Sequence, residues 1–229
     1  MPYKTFNLTG FLKARFFNAF FSLIVLTMVS QMAGQELSFG VKGGLNFAKL
    51  RGHDSRDNSI RTGAVFGGFA DIKQLFLTIQ PELLYSQKGD KREEDIAVVM
   101  DQTGVIAGHY VEVDKFDYLE MPVLVKYSFG NKIVSGIYAG PPVGMLLRAK
   151  HESTVAGITI TTDMKNEIKS SEIGLFWGAG IKMPSRISIE FRYSMSLTKI
   201  LKEVTILNVT MTSDIKNSIL SLMLGYYLK

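Results

Sequence analysis

The chain contains no cysteine among its 229 residues. Disulfide frameworks, thiolate zinc sites, iron–sulfur clusters and cysteine nucleophiles are excluded together. It is also poor in long apolar runs. Only one long stretch, within the first 30 residues, is predominantly apolar, whereas a polytopic helical membrane protein needs several of about 20 residues each. Acidic residues are missing from residues 1–35, which carry Lys4, Lys13 and Arg15. With these three set aside, the 26 basic and 21 acidic residues of the chain become 23 and 21. The basicity therefore belongs to the leading segment, and the remainder has no electrostatic footprint for nucleic acid. At 46% hydrophobic residues, disorder is excluded too, which leaves one globular domain or a β-barrel.

Residues 1–35 follow the order of a secretory signal peptide. A basic start precedes the apolar run Phe16 to Val29, and the small residues Ala33-Gly34 follow. At about 14 residues the apolar core is short of the 18 or more that read as a spanning helix. Cleavage is expected within Ala33–Gln35, with residues 36–229 as the exported domain; an uncleaved anchor is the alternative.

From Leu37 the apolar residues alternate. Leu37, Phe39, Val41, Leu45 and Phe47 share one parity, and Ser38, Gly40, Lys42, Gly44 and Asn46 the other. The same period of two recurs through Leu75–Tyr85, Leu119–Phe129, Ile173–Ile181 and Ile187–Met195, which is strand periodicity. Gly63–Lys73, Ile137–Lys150 and Ser218–Lys229 are less regular but fit the array, making eight strands. Breaks or bulges are expected at Pro81, Pro122 and Pro141-Pro142, because proline cannot donate to a ladder.

The connections alternate long and short: 48–62, Lys73-Gln74, 89–115, 130–132, 151–171, Pro184-Ser185 and 199–217. Strands of about 10 residues with tight turns at one end and long polar loops at the other predict an all-β, eight-stranded antiparallel up-and-down transmembrane barrel. A soluble lipocalin-like barrel has the same periodicity with the greasy parity inside. The leading segment, the aromatic residues near strand ends and the glycine-rich polar face favour the membrane version. Phe39, Tyr127, Phe129 and Tyr226 are then expected at the short-turn end, and Phe47, Tyr85 and Tyr193 toward the other.

The segments Gly40-Val41-Lys42-Gly43-Gly44-Leu45-Asn46-Phe47-Ala48-Lys49-Leu50, Gln80-Pro81-Glu82-Leu83-Leu84-Tyr85-Ser86-Gln87-Lys88-Gly89, Tyr118-Leu119-Glu120-Met121-Pro122-Val123-Leu124-Val125-Lys126-Tyr127, Tyr138-Ala139-Gly140-Pro141-Pro142-Val143-Gly144 and Leu224-Gly225-Tyr226-Tyr227 run in this order through the chain. Together they resemble the PorT-type outer-membrane β-barrel proteins of Bacteroidetes. The resemblance implies an outer-membrane location and a link to secretion of proteins across that membrane, without a defined activity.

The polar parity collects Lys42, Glu82, Glu120, Lys126, Arg148, Lys182, Glu190 and Arg192. An eight-stranded barrel is just wide enough for side chains to fill, so these charges are expected to pair in a narrow lumen as a structural plug. A selective pore or proton path is the sharper reading of the same residues. His53, His109 and His151 fall in long loops beside Asp54, Ser55, Glu152 and Ser153. A triad needs base and nucleophile within about 3 Å and usually draws its members from separate segments, so neither a catalytic nor a metal site is expected there. The charged run Lys88–Asp95 reads as solvated loop. The expected function is that of a monomeric, non-enzymatic outer-membrane barrel without cofactor. It would sit in outer-membrane lipid and act through its long extracellular loops or as an accessory to an envelope or secretion complex. A lipid-modifying or proteolytic barrel enzyme is the alternative.

Overall fold

A side chain on a strand faces the sheet side opposite to its neighbours', and here that alternation buries Lys42, Glu82 and Glu190 together with Leu84, Phe176 and Met223 on one side and leaves apolar rows exposed on the other. The computed structural model describes residues 36–52, 59–74, 77–100, 104–130, 132–155, 157–202, 204–206, 209–211 and 213–228. Residues 1–35, His53, Asp54 and Ser55 lie outside the described residues. Among the described residues every regular element is a strand: β1 Glu36–Arg51, β2 Arg61–Gln74, β3 Leu77–Met100, β4 Gly104–Phe129, β5 Val134–Gly140, β6 Pro142–Val155, β7 Ile158–Asp163, β8 Ser171–Lys182, β9 Ile187–Ser196, β10 Val204–Ile206, β11 Val209–Met211 and β12 Lys216–Tyr227.

The pairings close a ring. β1 is flanked by β2 and β12, β3 joins β2 to β4, and β12, β9 and β8 follow one another. β5 and β6 together bridge β4 and β8. They act as one strand, because the register against β4 is continuous from Val125↔Ala139 to Pro122↔Pro142. Counted so, the ring has eight strands. β7 adds to β6 outside the ring, and β10–β11 form a separate hairpin.

The prolines interrupt pairing without shifting it. Register between β3 and β4 is unchanged across Pro81 and Pro122, from Ile79↔Val125 to Leu84↔Glu120. The register shift falls instead where Asp117↔Arg148 gives way to Tyr118↔Leu146, with Leu147 as the extra residue. A bulge inverts the parity of everything beyond it. Leu146 and Ala149 both point inward as a result, and Leu147 is exposed.

The greasy parity faces out. Val41 is 50% exposed, Val125 49%, Leu175 44% and Leu222 49%, while Lys42, Asn46 and Glu190 are each below 5%. This orientation overturns the lipocalin-like alternative, in which those two sets would be exchanged. The outward apolar rows run from Leu83 down β3 and from Leu119 to Phe129 on β4. Phe39, Tyr127, Phe129 and Tyr226 are exposed near the short turns, with Tyr127 and Phe129 rings 6.3 Å apart.

Two expected loops are strand. The 89–115 segment continues β3 and β4 as an uninterrupted ladder to Met100↔Gly104, and the 151–171 segment continues β6 and contains β7. Charged side chains hid this, because a strand that leaves the membrane has polar residues on both faces and loses its period of two. Gly89 permits the extension: its φ is +128°, and a Cβ there would lie 1.9 Å from the Asp114 carbonyl oxygen. The inside is capped at the long-loop end by Leu50, Phe116, Tyr118, Leu146, Ala149, Ile168 and Ile200. Lys169 N–H donates to Ile200 O at 2.8 Å and Lys202 N–H to Glu167 O at 2.8 Å, lacing 164–170 to 199–202 across that cap.

Candidate functional site

Inward parity on four strands brings five charged side chains to one level of the lumen. Lys42 of β1 lies 2.7 Å from Glu82 Oε1 of β3 and 2.8 Å from Glu190 Oε2 of β9. Arg192, two residues beyond Glu190 on the same face, grips Glu82 with both terminal nitrogens at 2.9 and 3.0 Å. Lys126 of β4 reaches Glu190 at 3.3 Å and also donates to Gln80. Glu82 is thus held by two bases and Glu190 by three, since Arg192 is 3.5 Å away. The guanidinium also stacks 4.8 Å from the Phe176 ring centroid, and Gly178 leaves room beside it for the Tyr138 ring, whose Cζ would sit 2.7 Å from a Cβ there.

A second layer lies nearer the long-loop end. Lys88 bridges Glu120 at 2.6 Å and Glu172 at 3.0 Å, and Asn217 donates to Glu172 at 2.9 Å. Three cations face two carboxylates in the first layer and one faces two in the second, so the two layers balance. Asn46, Ser86 and Ser221 hydrogen-bond between them at 2.7–2.9 Å. The gap that remains, bounded by Asn46, Glu120, Arg192 and Ser194, has a volume of about 10 Å³, room for about one water.

Of the expected lumen residues, the structure joins Lys42, Glu82, Lys126, Glu190 and Arg192 directly, and puts Glu120 in the second layer. Lys182 is apart from both, with its ammonium 3.5 Å from the Tyr227 ring centroid. Arg148 is a correction: its side chain is 64% exposed, because the bulge at Leu147 turns it out of the lumen. Lys88 and Glu172 were missed. Lys88 was read as solvated loop and is 2% exposed. Continuing the even parity of Gln80, Glu82, Leu84 and Ser86 by one more step would have found it.

The same parity carried further makes a rim cluster above the apolar rows. Asp90, Asp114 and His151 lie opposite one another on β3, β4 and β6. His151 Nδ1 is 2.7 Å from Asp114 Oδ1, and Nε2 is 3.8 Å from Glu112. Glu112 accepts from Arg92 and Tyr110. Burial, and then the neighbouring Asp114 carboxylate, pushes the Asp90 pKa up to about 7. Glu152 pairs with Lys115 at 2.5 Å, and Ser153 donates to Tyr110 Oη at 3.3 Å. His109 lies on β4, and its side chain is outside the described residues.

Residues 29–202 match the outer membrane protein beta-barrel domain family. The chain belongs to that family. This outer-membrane β-barrel protein is also similar to solved barrels. It shares 12% identity with the attachment invasion locus protein Ail of Yersinia pestis, with 84% of this chain and 99% of that one covered and a TM-score of 0.42. It shares 13% with Neisserial surface protein A, covering 83% and 98%, with a TM-score of 0.41. It shares 14% with the outer membrane enzyme PagL, covering 83% and 99%, with a TM-score of 0.34. Likenesses this remote carry nothing about activity. Comparison with curated proteins finds no match.

Proposed function

We propose that this outer-membrane β-barrel protein is a monomeric, non-enzymatic member of the PorT-type branch, exported by residues 1–35 as a signal peptide. It acts through the strand extension at its long-loop end, as an accessory to an envelope or secretion complex. The closed lumen carries this reading. Among the described residues, two neutralising ionic layers, about 10 Å³ of free space between them and an apolar cap above fill the lumen, which supports a task outside the barrel. The branch assignment is supported by the sequence segments around Gly40, Pro81, Pro122 and Pro141. Against an enzyme stands the rim geometry: Ser153, the hydroxyl nearest in sequence to His151, is engaged with Tyr110. Planar-bilayer recording tests the closed lumen, and silence is expected. Discrete currents that vanish in Glu190→Gln would make the lumen a pathway. Affinity purification from native membranes tests the accessory role, with stoichiometric envelope proteins expected.

A further inference from the structure

The rim cluster encloses a cavity of about 220 Å³ lined by Asp90, Arg92, Glu112, Asp114, His151 and Met164. Its electrostatics are unbalanced. Asp90 is 3% exposed, yet its Oδ1 is buried without a hydrogen-bond partner. A buried carboxylate oxygen left unpaired costs free energy that a bound donor would recover. Arg92 gives its Nη1 to Glu112, while its Nε is likewise buried without a partner and does not reach Asp90 Oδ1. The charges facing the cavity are therefore Asp90 and Arg92 from β3, Glu112 and Asp114 from β4 and His151 from β6, with Arg61 of β2 donating to the Lys88 carbonyl nearby. Three carboxyls, of which Asp90 holds a proton to about pH 7, stand against one guanidinium already paired to Glu112, with the His151 ring hydrogen-bonded to Asp114, so an anion is disfavoured.

We propose that this cavity is a binding site for a small organic cation bearing a guanidinium group, which pairs with Asp90 and Asp114 together. A bare metal ion fits less well, since no group of three or more Asp, Glu or His among the described residues converges closely enough to hold one. A planar guanidinium presents donors in a fork that spans two carboxylates, and Asp90 and Asp114 face each other across one rung of the β3–β4 ladder. Burial and the facing Asp114 carboxylate hold a proton on Asp90 to about pH 7. The cation displaces it: protonated Asp90 plus the guanidinium yields ionised Asp90, the bound cation and one proton released to solvent.

Isothermal titration of the refolded barrel with agmatine, in two buffers of different ionisation enthalpy, tests this. At pH 7, where Asp90 is about half protonated, binding should release up to about half a proton, and at pH 9, with Asp90 already ionised, it should tighten and release none. Asp90→Asn should weaken binding tenfold or more, the loss of one charge-assisted bond, as should Asp114→Asn, while Glu93→Gln should not. Heat-shifted migration on gels confirms that each variant is folded. A short peptide centred on arginine separates a side-chain source from a free one, and binding of either ligand supports the site. Absence of binding by both, equal binding to the folded Asp90→Asn and Asp114→Asn variants, or a preference for putrescine or Ca²⁺ over agmatine would overturn the proposal.

Discussion

Lys42 and Glu190, 148 residues apart, meet at 2.8 Å across the lumen, linking β1 to β9 over the intervening β12. The bond ties strands that the ladder itself leaves unpaired. It also makes every base of that layer answer to one or the other of two carboxylates.

Glu190→Gln should therefore lower the temperature at which the barrel loses its folded migration in detergent, by a destabilisation of about 3–5 kcal/mol. Glu93→Gln, at an exposed pair with Lys91, should leave it unchanged.

Lys88→Met strands two carboxylates, Glu120 and Glu172, in a buried layer. It should destabilise by a similar amount. Adding Glu120→Gln and Glu172→Gln to it should restore part of the loss, because a neutral layer has no uncompensated charge to bury. Chemical denaturation in detergent of the wild type, Lys88→Met, Glu120→Gln with Glu172→Gln, and all three together measures the difference, and additivity would show the layer to be uncoupled.

Val125→Arg and Leu175→Arg place charge on the lipid face and should cost about 2–4 kcal/mol, read as loss of assembled protein in membranes. Arginine at Thr159, exposed on β7 beyond the ring, should be tolerated. Arginine at Gln80 or Ser188 belongs to neither class. Both are buried in a filled lumen, where overpacking costs about 1–3 kcal/mol.

The strand extension should loosen as pH rises. Asp90 holds its proton up to about pH 7 when folded and to about pH 4 when unfolded. The folded state thus binds more protons between these values, and stability from this group is fully present below about pH 4 and lost as pH climbs to about 7. Hydrogen exchange of β3 and β4 beyond Lys88 should accelerate from pH 5 to pH 8, after correction for intrinsic rates. In Asp90→Asn that dependence should flatten.

Much of the barrel was legible because its lipid-facing half obeys one rule. Val41, Leu83, Val125 and Leu175 all sit on apolar parities, and alternation with polar partners requires strands with one face in each environment. The lumen set followed from the same parity wherever register ran straight, as at Lys42, Glu82, Glu120, Lys126, Glu190 and Arg192. It failed at Arg148, where one inserted residue, Leu147, reverses the faces. It also failed at Lys88 and Asp90, where a polar run on both faces conceals the period.

Sequence alone thus determined where most strands run, the short turns at 130–132 and 184–185 and which parity is apolar, since these depend on local periodicity. The turn expected at Lys73-Gln74 is strand, with Lys73 paired to Thr78 and Gln74 to Leu77. Only the tertiary structure decided which side is the outside, which charges touch, and that β3, β4 and β6 carry their ladder past the apolar rows. Those are relations between residues distant in the chain. Lys88 meets Glu172 and Asp90 faces Asp114 only after closure of the ring sets the register of every strand against its neighbours.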